Sequence, residues 1–161
     1  ALARAADRFG ALGCDLVGHS IDSLFSHLAW IRAIRDEAGV VIPFPIIEDP
    51  NLAIARAYGM LPARAGHTAT VRAVHIIDPQ GTVRAIIWYP MEVGRSVEEL
   101  LRLVAALQSA DQGHGLAPEG WQAGGPLLAP SALLREQVLA IDARGNGDHS
   151  WFCRTAPPGG T

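Results

Sequence analysis

The sequence predicts an α/β fold, because segments with the apolar spacing of helices alternate with short β-rich runs. The clearest helix is residues 24–38, where Leu24, Leu28, Ile31 and Ile34 lie at helical spacing. Two β-rich runs at 70–78 and 82–89 flank the turn sequence Asp-Pro-Gln-Gly. The predicted order is β-α-β-α-β-β-α, preceded by a first helix, and 161 residues suit one domain with an appendage.

The first half of the chain predicts three helices and two strands. A glycine follows each helix, as is common at helix ends. Asp22 or Ser23 is suited to cap the second helix, and Asn51 the third. In chain order the elements are a helix over 1–12, a strand over 14–18, a helix over 24–38, a strand over 44–47 and a helix over 52–58.

Residues 70–95 predict a buried hairpin that carries Arg72 in its first strand. Pro90 ends the second strand, and Ser96 is suited to cap a long helix over 97–108. An arginine that points inward from such a hairpin is suited to hold an anion. The alternative is that Arg72 is a snorkelling edge residue without a chemical role, and the residues alone leave both interpretations open.

The composition changes after residue 110, which predicts a core over 1–110 and a C-terminal extension over 111–161. Residues 111–130 are rich in Gly and Pro and carry Trp121, and residues 131–143 predict a further helix. The tail has no periodicity but contains Trp151, Phe152 and Cys153. We expect it to dock on another surface.

Charge and motif content exclude several classes of function. The net charge is −3 and no basic patch occurs, so nucleic acid is not an expected partner. The apolar runs are too short to span a membrane. Two cysteines predict a reducing, cytoplasmic location. No zinc-ligand spacing and no glycine-rich phosphate-binding loop is present, so we expect neither a metal nor another cofactor.

Four stretches of the chain form an ordered set of motifs: HSIDSLFSHLAWI at 19–31, FPIIEDPNLAIARAYGML at 44–61, VRAVHIIDPQGTVRAIIWYPMEVGRSVEELLRLVAALQ at 71–108 and APEGW at 117–121. These stretches resemble the peroxiredoxins, specifically the 1-Cys or peroxiredoxin 6 type with a C-terminal domain. The final SWFC is similar to the tail of archaeal thioredoxin-dependent peroxidases. The resemblance implies a thioredoxin-like fold and the reduction of H₂O₂ and alkyl hydroperoxides. It also implies a thiol reductant, either a thioredoxin-like protein or a small thiol, and a homodimer or higher homo-oligomer.

The chain departs from this family in one respect. The family's peroxidatic cysteine lies in a P-x-x-x-T-x-x-C motif, which this sequence does not contain. We therefore expect an N-terminally truncated fold that lacks its first strands and catalytic loop, and no peroxidase activity in the 161 residues alone. The alternative is a non-catalytic assembly or interaction module derived from the family.

The resemblance assigns activation of the thiolate and the peroxide to Arg72. It makes Cys153 a candidate resolving cysteine, with an exposed leftover thiol as the alternative. Cys14 is better interpreted as a buried small hydrophobe than as the nucleophile. We expect Arg95 to be structural, tying the hairpin exit to the tail or to a partner subunit. Three histidines are expected to be structural hydrogen-bonding residues: His19, His27 and His67.

Overall fold

A computed structural model describes residues 1–61, 70–113 and 115–129 of the chain. The chain divides into two compact units, of which the first is Ala1–Glu98 and the second begins at Glu99. Among the residues described, no helix has both the length and the apolar character that a membrane crossing requires.

The order of helices and strands is mixed, as an α/β fold requires. The helices are α1 (Ala6–Ala11), preceded by a 3₁₀ turn over Leu2–Ala5, then α2 (Leu24–Ala38), α3 (Ala53–Ala57) and α4 (Val97–Asp111). The strands are β1 (Gly18–Ser20), β2 (Ile46–Glu48), β3 (Arg72–Ile77) and β4 (Val83–Tyr89). β1 pairs with β2 in parallel, and β3 pairs with β4 in an antiparallel hairpin.

Helix α2 has the bounds that the sequence predicts. Of the two candidate caps, Ser23 fills the position, and its side chain accepts a hydrogen bond from the Ser26 backbone N–H at 3.4 Å. The Leu24 N–H donates to the Glu48 carboxylate at 2.6 Å, which ties the start of α2 to the end of β2. Gly39 ends the helix in the left-handed conformation, with φ 63°.

Both short strands lie later in the chain than predicted. Gly18 is opposite Ile46, and the pairing ends with Ser20 opposite Glu48, so the predicted strand over 14–18 is wrong except at its last residue. The Gly18 N–H donates to the Pro45 carbonyl at 2.8 Å, where the pairing begins. The segment before β2 contains Pro43 and Pro45, which have no N–H to donate, so the pairing cannot extend further back.

The hairpin is confirmed, with strands slightly shorter than predicted. Its predicted burial is wrong, because every residue of β3 and β4 is half-buried or exposed. Its turn is closed by the Gly81 N–H, which donates to the Asp78 carbonyl at 2.9 Å. The Asp78 carboxylate also accepts the N–H groups of Gln80 and Thr82, at 3.0 and 2.8 Å. Gly81 has φ 82°, which favours glycine at this position. After a one-residue shift of register between Ile76 and Ile77, the pairing places Arg72 opposite Tyr89 at the other end of the hairpin.

Helix α3 is capped differently from the prediction. Leu52, not Asn51, occupies the N-cap position, and it has φ 62°. Asn51 still contributes, because its side-chain oxygen accepts the Ala53 N–H at 3.2 Å. The Asp49 carboxylate accepts the Ala55 N–H at 2.7 Å. The free N–H groups of this short helix are thus satisfied by side chains from the preceding turn.

The first unit buries few large apolar side chains. Its buried apolar residues are Ala5, Phe9, Ala55 and Met60. In contrast, α2 and β4 leave large apolar side chains exposed, the most extreme being Phe25 at 81%. The others on these two elements are Leu24, Leu28 and Trp30 on α2, and Val83, Ile86 and Trp88 on β4. The residues that the structure describes do not cover these faces.

The second unit has a local hydrogen-bonded cluster around Trp121. Trp121 is buried, and its indole N–H donates to the Gly125 carbonyl at 3.1 Å. The Arg102 guanidinium donates to the Trp121 carbonyl at 3.2 Å and pairs with Glu99 at 2.6 Å. The buried side chains of α4 in this unit are Leu100, Leu101, Val104 and Ala106. The predicted helix over 131–143 lies outside the described residues.

Candidate functional site

The end of the hairpin opposite its turn places an arginine opposite a tyrosine. Arg72 opens β3 directly opposite Tyr89, the last residue of β4. Directly opposed residues of an antiparallel pair project to the same face, with Cβ atoms about 4.5–5.5 Å apart. Both residues are half-buried. Arg72, which the sequence singled out, therefore lies at a partly enclosed strand end, opposite Tyr89.

Arg95 returns to this same end of the hairpin. Pro90 follows β4, and the chain turns where the Val93 N–H donates to the Pro90 carbonyl at 3.1 Å. The pKa of Arg95 is lowered, first by partial burial of its side chain and then by the like charge of Arg72, while Tyr89 acts in the opposite direction. The charges of Arg72 and Arg95 therefore interact. We refer to these two residues as the arginine pair.

The arginine pair has no acidic partner among the residues that the structure describes, because neither guanidinium lies within ion-pair distance of a carboxylate. Elsewhere in the first unit, in contrast, Arg8 forms a two-pronged pair with Glu98 at 2.5 and 2.7 Å. Like charges repel each other, and guanidinium forks match oxygen-rich or anionic ligands. Two interacting guanidiniums that lack a carboxylate partner among the described residues are therefore suited to an anion or a polar oxygen ligand.

Sequence reasoning identified Arg72 but placed Arg95 in a structural role. Arg95 is 23 positions further along the chain, and its approach to Arg72 depends on the strand register and on the turn at Pro90. The one local signal is that the two arginines lie on either side of a strand that ends in Tyr-Pro. That pattern alone does not specify that the two charges meet.

Cys14 has the properties of an unreactive thiol. It is half-buried, and its pKa is raised, mainly by burial and secondly by the charge of Asp15. A nucleophilic cysteine needs the opposite shift. Cys14 lines a groove of about 650 Å³ between α1 and residues 43–45. The predicted burial is therefore only partial, and the other cysteine, Cys153, lies outside the described residues together with His67.

His19 forms the structural hydrogen bond that was expected of it. Its Nε2 lies 3.2 Å from the carboxylate of Asp49, which is only 2% exposed. Burial, the largest contribution, raises the pKa of Asp49, but the backbone N–H groups of α3 and His19 together outweigh it, so the pKa is lowered. Asp49 is thus held as a buried carboxylate that joins β1 to α3.

His27 does not match its expected role. The side chain is 6% exposed, and neither ring nitrogen has a hydrogen-bond partner among the described residues. No group of three His, Cys, Asp or Glu side chains in the same part of the chain is arranged to hold a metal ion. The arginine pair is therefore the best-supported functional feature of the first unit.

Comparisons with known proteins place this hairpin in a defined family. The family model described as the AhpC/TSA family matches residues 1–86. A peroxiredoxin of Thermoplasma volcanium is 44% identical over 146 residues, which cover 91% of this chain and 70% of that protein. A peroxiredoxin of Nanoarchaeum equitans is 44% identical over 137 residues, or 85% of this chain and 61% of that protein.

Solved structures show the same fold. A yeast mitochondrial 1-Cys peroxiredoxin matches with a TM-score of 0.80 at 30% identity, over 96% of this chain and 76% of that one. Peroxiredoxin 6 of Arenicola marina, as a cysteine-to-serine mutant, matches with a TM-score of 0.78 at 26% identity, over 98% of this chain and 76% of that one. The reduced 2-Cys peroxiredoxin of Plasmodium vivax gives a TM-score of 0.72 at 30% identity, over 81% of this chain and 66% of that one.

The chain spans 61% of the Nanoarchaeum protein and 67% of a peroxiredoxin of Hyperthermus butylicus, to which it is 40% identical over 157 residues. The expected α/β, thioredoxin-like peroxiredoxin fold is thereby confirmed. The chain belongs to the AhpC/TSA family, the peroxiredoxins.

Proposed function

We propose that this chain supplies the arginine-bearing part of a thiol-dependent peroxidase that reduces H₂O₂ and alkyl hydroperoxides. The observation that carries the proposal is the arginine pair. In a chain of the peroxiredoxin family, it presents two guanidiniums at one end of a hairpin without a carboxylate partner among the described residues. Arg72 is the residue to which we assign activation of the peroxide.

The proposed chemistry needs hydrogen-bond donors that keep their charge. A thiolate attacks one peroxide oxygen, an S–O bond forms, and the O–O bond breaks. The departing oxygen gains negative charge and takes up a proton to leave as water or an alcohol. An arginine guanidinium has five N–H donors in a fixed fork, so Arg72 is able to donate to both peroxide oxygens and to the thiolate. Removing one such donor lowers the rate by a factor of about 10²–10³.

We further propose that the attacking thiolate comes from outside these 161 residues. The P-x-x-x-T-x-x-C motif is absent, and the pKa of Cys14 is shifted in the direction that disfavours a thiolate. Mixing the purified chain with dithiothreitol and H₂O₂ should therefore give peroxide loss at the rate of free dithiothreitol. Faster loss that disappears in Cys14→Ser or Cys153→Ser would identify that cysteine as the nucleophile and contradict this part of the proposal.

The 1-Cys, peroxiredoxin 6 type is our proposal for the subgroup. It is supported by the higher TM-scores to a 1-Cys peroxiredoxin and to peroxiredoxin 6 than to the 2-Cys protein. Relatives from Archaea support the proposed likeness to the archaeal enzymes. In that group Cys153 is the candidate resolving thiol. With a peroxidatic cysteine supplied, peroxide should trap a disulfide to Cys153, and none should form in Cys153→Ser.

We propose that the chain works in the cytoplasm as a homodimer or higher homo-oligomer. The support for self-association is the apolar surface that the described residues leave exposed on α2 and on β4, where Phe25 is 81% and Trp88 55% exposed. This surface also favours the second candidate function, a non-catalytic assembly module. Size-exclusion chromatography with light scattering should show a mass above the 17.1 kDa of one chain. A strict monomer at high concentration would contradict both uses of this surface.

The peroxidase proposal is tested by supplying the missing motif. The part of the Aeropyrum pernix peroxiredoxin that carries its cysteine motif can be fused before Ala1, since that protein is 41% identical to this chain over 161 residues. We expect catalytic peroxide reduction by the fusion protein and none by the chain alone. A folded fusion protein whose cysteine reacts with peroxide no faster than free cysteine would overturn the proposal.

A further inference from the structure

We propose that Met91 is a modification site, at which peroxide held near the arginine pair oxidises the thioether to a sulfoxide. The chain contains two methionines, Met60 and Met91. Met60 is 8% exposed, whereas Met91 is 60% exposed. The two side chains thus have the same chemistry and differ in access, which makes Met60 an internal reference for Met91.

Met91 occupies the turn that joins the parts of the candidate site. It lies two residues after Tyr89 and four before Arg95, in the turn closed by the Val93 N–H and the Pro90 carbonyl. Any ligand drawn to the arginine pair is therefore brought to the segment that carries Met91. This step rests on the proposed function, because it takes peroxide as the ligand of the pair.

The reaction is balanced with peroxide as its only co-reactant. The Met91 sulfur attacks one oxygen of H₂O₂, an S–O bond forms, and the O–O bond breaks. The departing hydroxide takes the proton from the sulfur-bound oxygen, leaving a sulfoxide and one water. Sulfur is oxidised by two electrons and the peroxide is reduced by two. Guanidinium donors at Arg95 and Arg72 would stabilise the charge on the departing oxygen, in the way proposed for Arg72 in the thiolate reaction.

The modification changes what lies beside the arginine pair. A thioether is an apolar side chain and a weak acceptor, whereas a sulfoxide is polar and carries a strong acceptor oxygen. Two guanidiniums without a carboxylate partner among the described residues are suitable donors to that oxygen. The sulfoxide would then compete with peroxide for the pair. Methionine sulfoxide reductases reverse the change, so the site would respond to excess peroxide reversibly.

The experiment measures oxidation of the two methionines separately. The chain has no lysine, so trypsin places Met60 in the peptide 57–64 and Met91 in the peptide 85–95. The second peptide also contains Trp88, so fragment ions are needed to assign the added oxygen. With dilute H₂O₂ on the folded chain, we expect Met91 to oxidise roughly tenfold faster than Met60, since susceptibility follows exposure. In urea the two rates should become equal.

The dependence on the arginine pair separates this proposal from simple exposure. Arg72→Gln and Arg95→Gln should each slow oxidation of Met91 by roughly threefold or more, because each removes donors from the departing oxygen. Arg95→Gln also removes a trypsin site, so in this variant Met91 is followed in the peptide 85–102. Arg32→Gln, on the exposed surface of α2, should leave the rate unchanged. The Met60 rate monitors folding, since it rises if a variant unfolds. A second, complementary readout is that Met91→Leu removes the added oxygen from the 85–95 peptide.

Two results would overturn the inference. Equal rates for Met91 and Met60 in the folded chain would show that Met91 is not a preferred site. Oxidation of Met91 that is faster than that of Met60 but unchanged in both arginine variants would show that Met91 is merely exposed and does not depend on the arginine pair. Either result leaves the peroxidase test of the fusion protein unaffected. An inactive fusion protein together with arginine-dependent oxidation of Met91 would instead remove the proposed function and keep the modification site.

Discussion

The close approach of β1 to β2 makes Gly18→Ala the sharpest test of the fold. A Cβ atom placed on Gly18 would lie 3.1 Å from Cγ1 of Ile46 and 3.6 Å from its Cβ and Cγ2. Carbon atoms pack best at about 3.5–4.0 Å, so the new methyl group is about 0.4–0.9 Å too close. Because Ile46 is the register partner of Gly18, its side chain must shift by a few tenths of an ångström to accept the methyl group.

The expected loss of stability follows from two opposing contributions. Inserting a methyl group into a packed site costs about 1–3 kcal/mol. Replacing glycine by alanine stabilises the folded state by about 0.4–1 kcal/mol, because it reduces the conformational freedom of the unfolded chain. Gly18→Ala should therefore lower the free energy of unfolding by about 0.5–2 kcal/mol. Urea denaturation followed by circular dichroism measures this difference.

Two further variants test the cause. In an Ile46→Ala background the obstructing atoms are gone, so Gly18→Ala should become neutral or stabilising. Gly10→Ala in α1 is the matched control, since no atom lies within 4 Å of its added Cβ, and it should stabilise the chain by about 0.5–1 kcal/mol. An equal cost of Gly18→Ala in both backgrounds, or no cost at all, would refute the packing argument.

Three other predictions concern single contacts. Leu52 has φ 62°, which glycine adopts without strain and alanine does not. In urea denaturation, the free energy of unfolding of Leu52→Gly should therefore exceed that of Leu52→Ala by about 1 kcal/mol. The reverse order would contradict backbone strain at this N-cap. The pKa of Asp49 is lower in the folded chain than in the unfolded chain. The stability that the Asp49 carboxylate contributes is therefore fully present above its unfolded pKa, near 4, and is lost as the pH falls through its folded pKa. The difference in melting temperature between wild type and Asp49→Asn should therefore narrow below about pH 4, and a constant difference would contradict this assignment. Trp121→Phe deletes the donor to Gly125, and a loss of about 1 kcal/mol in urea is expected, whereas unchanged stability would show that this bond contributes nothing.

Elements with local signals were predictable from the sequence. Helix α2 has its cap at Ser23 and its stop at Gly39, both within one residue of the helix, and its predicted bounds are those observed. The hairpin turn is specified in the same way by Asp78 and Gly81. In each case the residues that decide the structure are neighbours in the chain.

Elements that depend on distant partners were not predictable in the same way. The start of β1 is set by Pro45, 27 positions later, because the pairing can begin only where the partner segment has suitable backbone groups. At the start of α3, the Asp49 carboxylate that accepts the Ala55 N–H is itself held by His19 of β1, 30 positions earlier in the chain. Arg72 was found through its motif, whereas the approach of Arg95 depends on the register of β3 with β4 and on the following turn.

The role of Arg72 is tested most directly by the peroxidase activity of the fusion protein that carries the Aeropyrum cysteine motif before Ala1. The measurement is kcat/KM for H₂O₂ in Arg72→Gln, with Arg32→Gln as the control that removes an exposed arginine from α2. We predict a loss of about 10²–10³ in kcat/KM for Arg72→Gln and no change for the control. Equal activity of the two variants would contradict the assignment of peroxide activation to Arg72.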